Sequence, residues 1–286
     1  MSQIASPSPS GAGAAGPPVR PAAPGLARAG WMLGLLSVVA VLTVNVWLTA
    51  RLVQELRRES REHAFWVLCQ PGHSAAERAG AFLQLAAAGN KEWRSADLSN
   101  LNLPGVTLAG ADLSFALFNN ANFARANLAG ARLFKSSLAQ ADLRGADLSE
   151  ADLSEAQLYR ANLGQTGFRR AKLRAAYLQE VQAEKADLIM ADLSDAVCPM
   201  ANFAGARCNG ANLSGANLEA AVFRGANLSL ARLDGANVRD ADFTNANWWR
   251  ALGLTSEQIS RLKKRFTPGT NAEPALKFDY DKWAKS

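Results

Sequence analysis

The sequence predicts an all-β solenoid of about twenty residues per coil, and three observations carry that prediction. From Ala96 to Ala246 every fifth residue is alanine, with five exceptions in thirty-one positions: Leu101, Val106, Ser136, Thr166 and Val181. Two positions later stands Leu or Phe, again with five exceptions: Ala183, Cys198, Cys208, Val238 and Trp248. Residues twenty apart then fall into columns, with leucine at 113, 133, 153, 173, 193, 213 and 233 and phenylalanine at 203, 223 and 243. A period of five suits neither a lone helix, where it advances about 140°, nor a flat strand, where it changes face, so the chain turns a corner in each repeat.

Residues 1–29 are Pro, Ala, Gly and Ser with two arginines, too poor in apolar surface to offset chain entropy, and are expected to be a disordered tail. Residues 30–50 are expected to form a transmembrane helix. Trp31 to Ala50 carry no charge, and at about 1.5 Å per residue they span roughly 30 Å. A cleaved signal peptide is the competing account. Its apolar part runs about 7–15 residues and ends small-x-small, whereas Leu48 stands three places before any cleavage after Ala50. Arg20 and Arg28 precede the span and Arg51, Arg57, Arg58 and Arg61 follow it, which by the positive-inside rule places the C-terminal side in the cytoplasm. Gly30 and Gly34 form a small-xxx-small pair at which two such helices would pack as a homodimer, although glycine is common in membrane helices and that plainer account is preferred. Residues 51–70 prolong the helix into water, with Arg51/Glu55 and Arg58/Glu62 at the supporting i,i+4 spacing.

A coil end exposes apolar core and unpaired backbone, so lids are expected at both ends. Residues 74–90 supply one: Ser74 and Glu77 make a capping box, Ala81, Phe82 and Leu85 follow, and Gly89 stops the helix. Residues 255–267 supply the other, with Thr255 and Gln258 as the box and Ile259, Leu262 and Phe266 facing the coil. Residues 268–286 are a tail in which Phe278, Tyr280 and Trp283 alternate with charge. It is expected to fray or to add along a sheet edge.

Within 96–250, the alanine and the large residue point inward in extended chain, and the Asp, Asn or Lys between them faces out. Stretches such as ADLSE, ANLAG, ANFAG and ANLSG follow A(D/N)LXX. The pattern resembles the pentapeptide-repeat family, and the resemblance implies a right-handed quadrilateral β-helix. The chain thus reads as a membrane-anchored, bacterial-type member: a single-pass protein of the bacterial inner membrane with its repeats in the cytoplasm.

Charge narrows the function. Residues 1–95 carry nine Lys/Arg against five Asp/Glu, residues 96–250 fifteen against sixteen, and residues 251–286 seven against four. A near-neutral middle offers no nucleic-acid surface. Some relatives in the quinolone-resistance group resemble DNA in shape and charge and bind DNA gyrase. Such mimicry needs roughly one negative charge per 1.7 Å, which this middle lacks, so it stands as the alternative reading. The outward column Asp112, Arg132, Asp152, Lys172, Asp192, Asn212, Arg232 instead alternates acid with base, as stacked rungs favour.

Successive aspartates point from different sides and do not converge on a metal. Both histidines, His63 and His73, precede the repeats, and Cys198 and Cys208 occupy inward positions on opposite walls, so neither a metal site nor an activated nucleophile is expected there. Three cysteines build no disulfide framework. No cofactor is required. The reading is a non-catalytic, membrane-tethered scaffold for unidentified protein partners. Its candidate surface is the irregular stretch 166–185: Arg169, Arg170, Lys172, Arg174 and Tyr177.

Overall fold

The computed structural model describes residues 24–70, 72–269 and 272–285; for residues 24–42 and 45 the description is limited to helical backbone. The N-terminal tail predicted over residues 1–29 therefore lies almost wholly outside the described residues. Contacts divide the chain into two units, Met1–Glu59 and Ser60–Ser286. Helix α1, Pro24–Cys69, begins in the first and ends in the second.

In the first unit Arg51 pairs with Glu55 at 3.4 Å and its guanidinium lies 5.3 Å from the Trp47 ring centroid. The transmembrane expectation is corrected here. Among the described residues no helix is long and apolar enough to cross a membrane. The single-pass location, the membrane partner and the cytoplasmic orientation built on that span are withdrawn.

The second unit opens with the last turns of α1. These do not simply extend into water as predicted for residues 51–70: Ala64 and Leu68 are buried in the core, and Gln84 donates to the Ser60 hydroxyl. Helix α2, Ala75–Ala87, starts at Ser74, whose hydroxyl accepts from the Glu77 N–H while the Glu77 carboxylate accepts from the Ser74 N–H at 2.8 Å. Its Phe82 ring packs 4.3 Å from Trp93, the first large side chain of the coil.

From Glu92↔Asp112 to Arg232↔Leu252, every parallel bridge joins residues twenty apart. The hydrogen bonds repeat with it: Leu133 N–H donates to Asp152 C=O at 2.7 Å, and Asp152 N–H to Ala131 C=O at 2.9 Å. Thus Leu133 and Leu153 stack on successive rungs. The phenylalanine column stacks likewise, with Phe203–Phe223 and Phe223–Phe243 centroids both 5.2 Å apart. The alanine and leucine columns line the interior, nearly all of them fully buried. Two departures from alanine are polar yet internal. Ser136 donates to Leu133 C=O at 2.8 Å and Thr166 to Leu143 C=O at 2.7 Å, so both hydroxyls are satisfied.

Each five-residue segment ends in a turn, with a bond such as Ala146 N–H to Leu143 C=O at 3.0 Å. The third turn residue has positive φ at every fifth position from Ser95 to Asn245, between 53° and 69°. Nine of these positions are glycine and twenty-two are not, and none of the twenty-two is β-branched, the class that backbone conformation tolerates least. The Asp/Asn preference has its own cause. Side-chain oxygens of Asp147, Asp152, Asn162 and their equivalents accept the N–H two residues on, at 3.0–3.2 Å, closing Asx turns that shape each corner.

At the C-terminal end a 3₁₀ turn, Trp248–Arg250, leads to helix α3, Ser256–Phe266, which starts at a Thr255/Gln258 capping box. The stretch predicted as a frayed or edge-adding tail is instead helix α4, Pro274–Ala284. Tyr280 and Trp283, three apart, share one helical face and pack on Trp248 at 6.3 and 5.5 Å. Asp279 accepts from Trp249 Nε1 at 2.9 Å and from Arg250 Nε at 2.7 Å, which fastens the helix to the 3₁₀ turn.

Candidate interaction face

Because the rungs stack at twenty, outward residues sort into four sets, one for each segment of the coil. The five predicted site residues do not converge. Arg169 and Arg170 belong to one segment, Lys172 and Arg174 to the next, and Tyr177 to a third. Three of the bases are also answered on neighbouring rungs: Arg169 bonds Asp187, Arg170 lies 3.8 Å from Glu150 and Arg174 lies 3.7 Å from Asp195, while the Lys172 backbone sits between the rungs of Asp152 and Asp192. Gly30 and Gly34 lie in the α1 backbone, and their packing falls outside the described side chains.

Tyr177 identifies a different set. Residues 117–120, 137–140, 157–160, 177–180 and 197–200 stack into a face whose charged residues are Arg160 and Glu180. These two bond each other at 2.8 Å, while the Arg160 guanidinium covers the Tyr159 ring at 4.8 Å. Beside the uncharged polar residues Asn119, Asn120, Ser137, Gln140, Gln157 and Gln179, the face presents Leu117, Ala139, Tyr159, Tyr177, Val197, Pro199 and Met200. Leu117 is 42% exposed, Tyr177 45% and Met200 57%. The adjoining set over the same coils, 112–115 to 192–195, carries Asp112, Arg132, Lys135, Asp152, Glu155, Lys172, Arg174, Asp192 and Asp195.

The neutral face also lacks the Asx turns of its neighbours. Its outward rung residues are Leu117, Ser137, Gln157, Tyr177 and Val197, none able to close that bond with a carboxylate or short amide. Asn119 substitutes locally, accepting from Ser137 Oγ at 2.7 Å and Ala139 N–H at 3.1 Å. Reading a single window along the chain finds Tyr177 but misses Tyr159, Val197, Pro199 and Met200. Comparing outward positions at intervals of twenty is the signal that finds them.

The remaining chemistry is muted. Among the described residues no group of three His, Cys, Asp or Glu is arranged to hold a metal. Burial pushes the Cys208 thiol up to about 12 and raises that of Cys198 as well, so neither supplies a thiolate near neutral pH. Acid and base neutralise along the coil, and no continuous negative strip of the kind duplex mimicry needs is formed among the described residues.

A family model, Pentapeptide repeats, matches in eight copies over residues 94–125, 126–165 and 201–240. Among solved structures, the chain is 31% identical to HetL of the cyanobacterium Nostoc sp. strain PCC 7120, described as a pentapeptide repeat protein involved in heterocyst differentiation regulation; the match covers 58% of this chain and 95% of HetL, with a TM-score of 0.27. A second Nostoc PCC 7120 pentapeptide repeat protein is 33% identical over 42% of this chain and 78% of its own, with a TM-score of 0.17. QnrB1, a plasmid-mediated fluoroquinolone resistance protein, is 18% identical in a trypsin-treated form, covering 58% and 97% at a TM-score of 0.27. No curated protein matches the sequence. None of these relatives carries over the bacterial inner-membrane placement, which is dropped with the span. The eight matched copies of the repeat show that the chain belongs to the pentapeptide-repeat family, and the parallel bridges at intervals of twenty make its repeats a β-helix solenoid.

Proposed function

We propose that the chain is a non-catalytic protein-interaction scaffold whose working surface is the neutral face from Leu117 to Met200. One observation carries the reading: five consecutive rungs keep only the Arg160–Glu180 pair as charge and give up their Asx turns, while the core beneath stays buried, with Ser136 and Cys198 its departures from the frame. Protein interfaces are depleted in charge at their centres and enriched in Tyr and Met, and an exposed patch of that composition marks an interaction site. The one ion pair there is already satisfied internally, so covering it removes no free charge from water. At about 4.8 Å per rung the face is roughly 20 Å long. In this reading the coil is quadrilateral, α2 and α3 act as its lids, and the partner is a protein.

The test is a pull-down with the full chain as bait, comparing the unaltered protein, Tyr177→Asp combined with Met200→Asp, and Lys172→Ala on the charged face. Partners retained by Lys172→Ala and lost with the double variant support the reading. Equal retention by all three would exclude the neutral face.

A further inference from the structure

The final coil leaves an uncovered edge that includes residues 236–241. On the preceding rung, Leu218 N–H donates to Asn237 C=O and Ala220 N–H to Arg239 C=O, both at 2.9 Å. Val238 and Asp240 hold the same places one coil later, and among the described residues their N–H groups donate to no protein atom. The chain departs after Leu252 and enters α3 from Thr255, so it forms no further backbone rung there. Instead the Gln258 side-chain amide donates to Ala236 C=O at 3.0 Å, where Asn237 N–H bonds Ala216 C=O on the rung before. The edge is thus half-imitated and half-open.

Beside it lies a groove of about 520 Å³, with residues 236–241 on one side and Gln258, Arg261, Leu262, Lys264 and Arg265 of α3 on the other. Its lining carries four cations, Arg239, Arg261, Lys264 and Arg265, against the single carboxylate of Asp240. Glu219 and Glu257 answer Arg239 and Arg261, Asp240 lies 3.8 Å from Arg265, and Lys264 remains as the positive excess. Unpaired sheet edges accept extended chain, with backbone bonds giving affinity and flanking charge giving selectivity.

We propose that the Ala236–Ala241 edge receives an extended, acidic peptide segment of a partner protein as one added rung. Carbonyls of peptide residues two apart accept from Val238 and Asp240 N–H, and its carboxylates meet Arg261, Lys264 and Arg265. This is a second site, separate from the neutral face, and its failure leaves that reading standing.

The probe is a fluorescein-labelled octapeptide alternating Glu and Val, titrated against the full chain by anisotropy, with hydrogen exchange followed over residues 236–241. Expected are saturable binding, slowed exchange of the Val238 and Asp240 amides, and at least ten-fold weaker binding in Lys264→Glu combined with Arg265→Glu. Both changes lie on the exposed side of α3, and circular dichroism confirms that the variant remains folded. The proposal is overturned by no binding at millimolar peptide, by binding without slowed exchange at the edge, by an undiminished affinity of the folded double variant, or by equal binding of a Lys/Val octapeptide.

Discussion

The neutral face and the charged face beside it rest on the same rungs, yet they answer to different demands. From Asp112 to Asp195 the outward residues alternate in sign and close Asx turns, as at Asp112, Asp152 and Asp192, so surface chemistry and corner geometry support each other. From Leu117 to Met200 the Asx turns are absent and a single stacked pair, Arg160 and Glu180, alternates in sign, although the backbone ladder is unbroken. Inward and corner positions therefore specify the solenoid, and outward positions are released for recognition wherever the fold does without their help. The comparison can be broken or sharpened at several levels.

The largest effect concerns what the two faces share. Leu153 lies beneath the charged face and Leu158 beneath the neutral one, and both are fully buried. Truncating either to alanine leaves a cavity in a close-packed column and is expected to cost about 2–5 kcal/mol. Urea denaturation of Leu153→Ala and Leu158→Ala should give similar falls in midpoint. A much milder loss at Leu158 would mean that the neutral face lies over a looser core, and its composition would then reflect weak packing rather than recognition.

This separation also explains how much of the molecule is legible in the sequence. The alanine and leucine frame states the period directly, because inward positions tolerate few residue types, and the Phe203–Phe243 column and both capping boxes follow from spacing alone. Surface roles are written at intervals of twenty, so a continuous window mixes faces. The stretch 166–185 draws together Arg169, Lys172 and Tyr177, which lie on three different segments. Thr166 reads as a surface irregularity, whereas its hydroxyl bonds Leu143 C=O inside the coil. In the tail, aromatic–charged alternation suggests a strand, while the i,i+3 pair Tyr280/Trp283 and Asp279, bonded to Arg250, belong to a packed helix. Uncharged length suggests a membrane span, which the described part of α1 does not supply.

The next effect is smaller and opposite on the two faces. Asp152→Ala removes an acceptor from the Ser154 N–H and is expected to cost about 1 kcal/mol. Tyr177→Asn supplies the missing Asx acceptor for Gln179 and is expected to stabilise by about 0.5–1 kcal/mol while weakening partner capture, a stability–function trade-off. Thermal melts paired with the pull-down check both. A Tyr177→Asn protein that gains stability and keeps its partners would remove the reason given for the absent Asx turns.

Corners outside both faces, at the ends of segments 227–230 and 222–225, provide a control that should not depend on either. Leu230 holds φ at +60° and is 67% exposed, so Leu230→Gly relieves left-handed strain and is expected to stabilise by about 0.5–1 kcal/mol. Gly225, at φ +63° with open space where a Cβ would stand, should lose a similar amount on Gly225→Ala. Both are read from urea midpoints. Opposite signs would show that backbone conformation, not side-chain contact, governs the corner.

Acid gives the smallest effect, with Asp142, which stacks with Asn122 and Asn162 outside both faces, as the charged reference. Hydrogen bonds from the Arg144 guanidinium, opposed by partial burial, hold the Asp142 carboxyl below the usual carboxylate range. A carboxyl whose folded value is depressed contributes its full stability above its unfolded value, about 3.9, and loses that contribution as pH falls through the lower folded value. Stability should therefore be level on this account above about pH 5 and decline below about pH 4. Because Arg144 is solvent-exposed and screened, the decline from this pair is slight. Asp142→Asn should flatten that part of the profile in urea titrations at successive pH values. The neutral face holds a single carboxylate, Glu180, so Tyr177→Asn should shift the whole profile without changing its shape; a changed shape would show that the two faces are electrostatically coupled and cannot be varied independently.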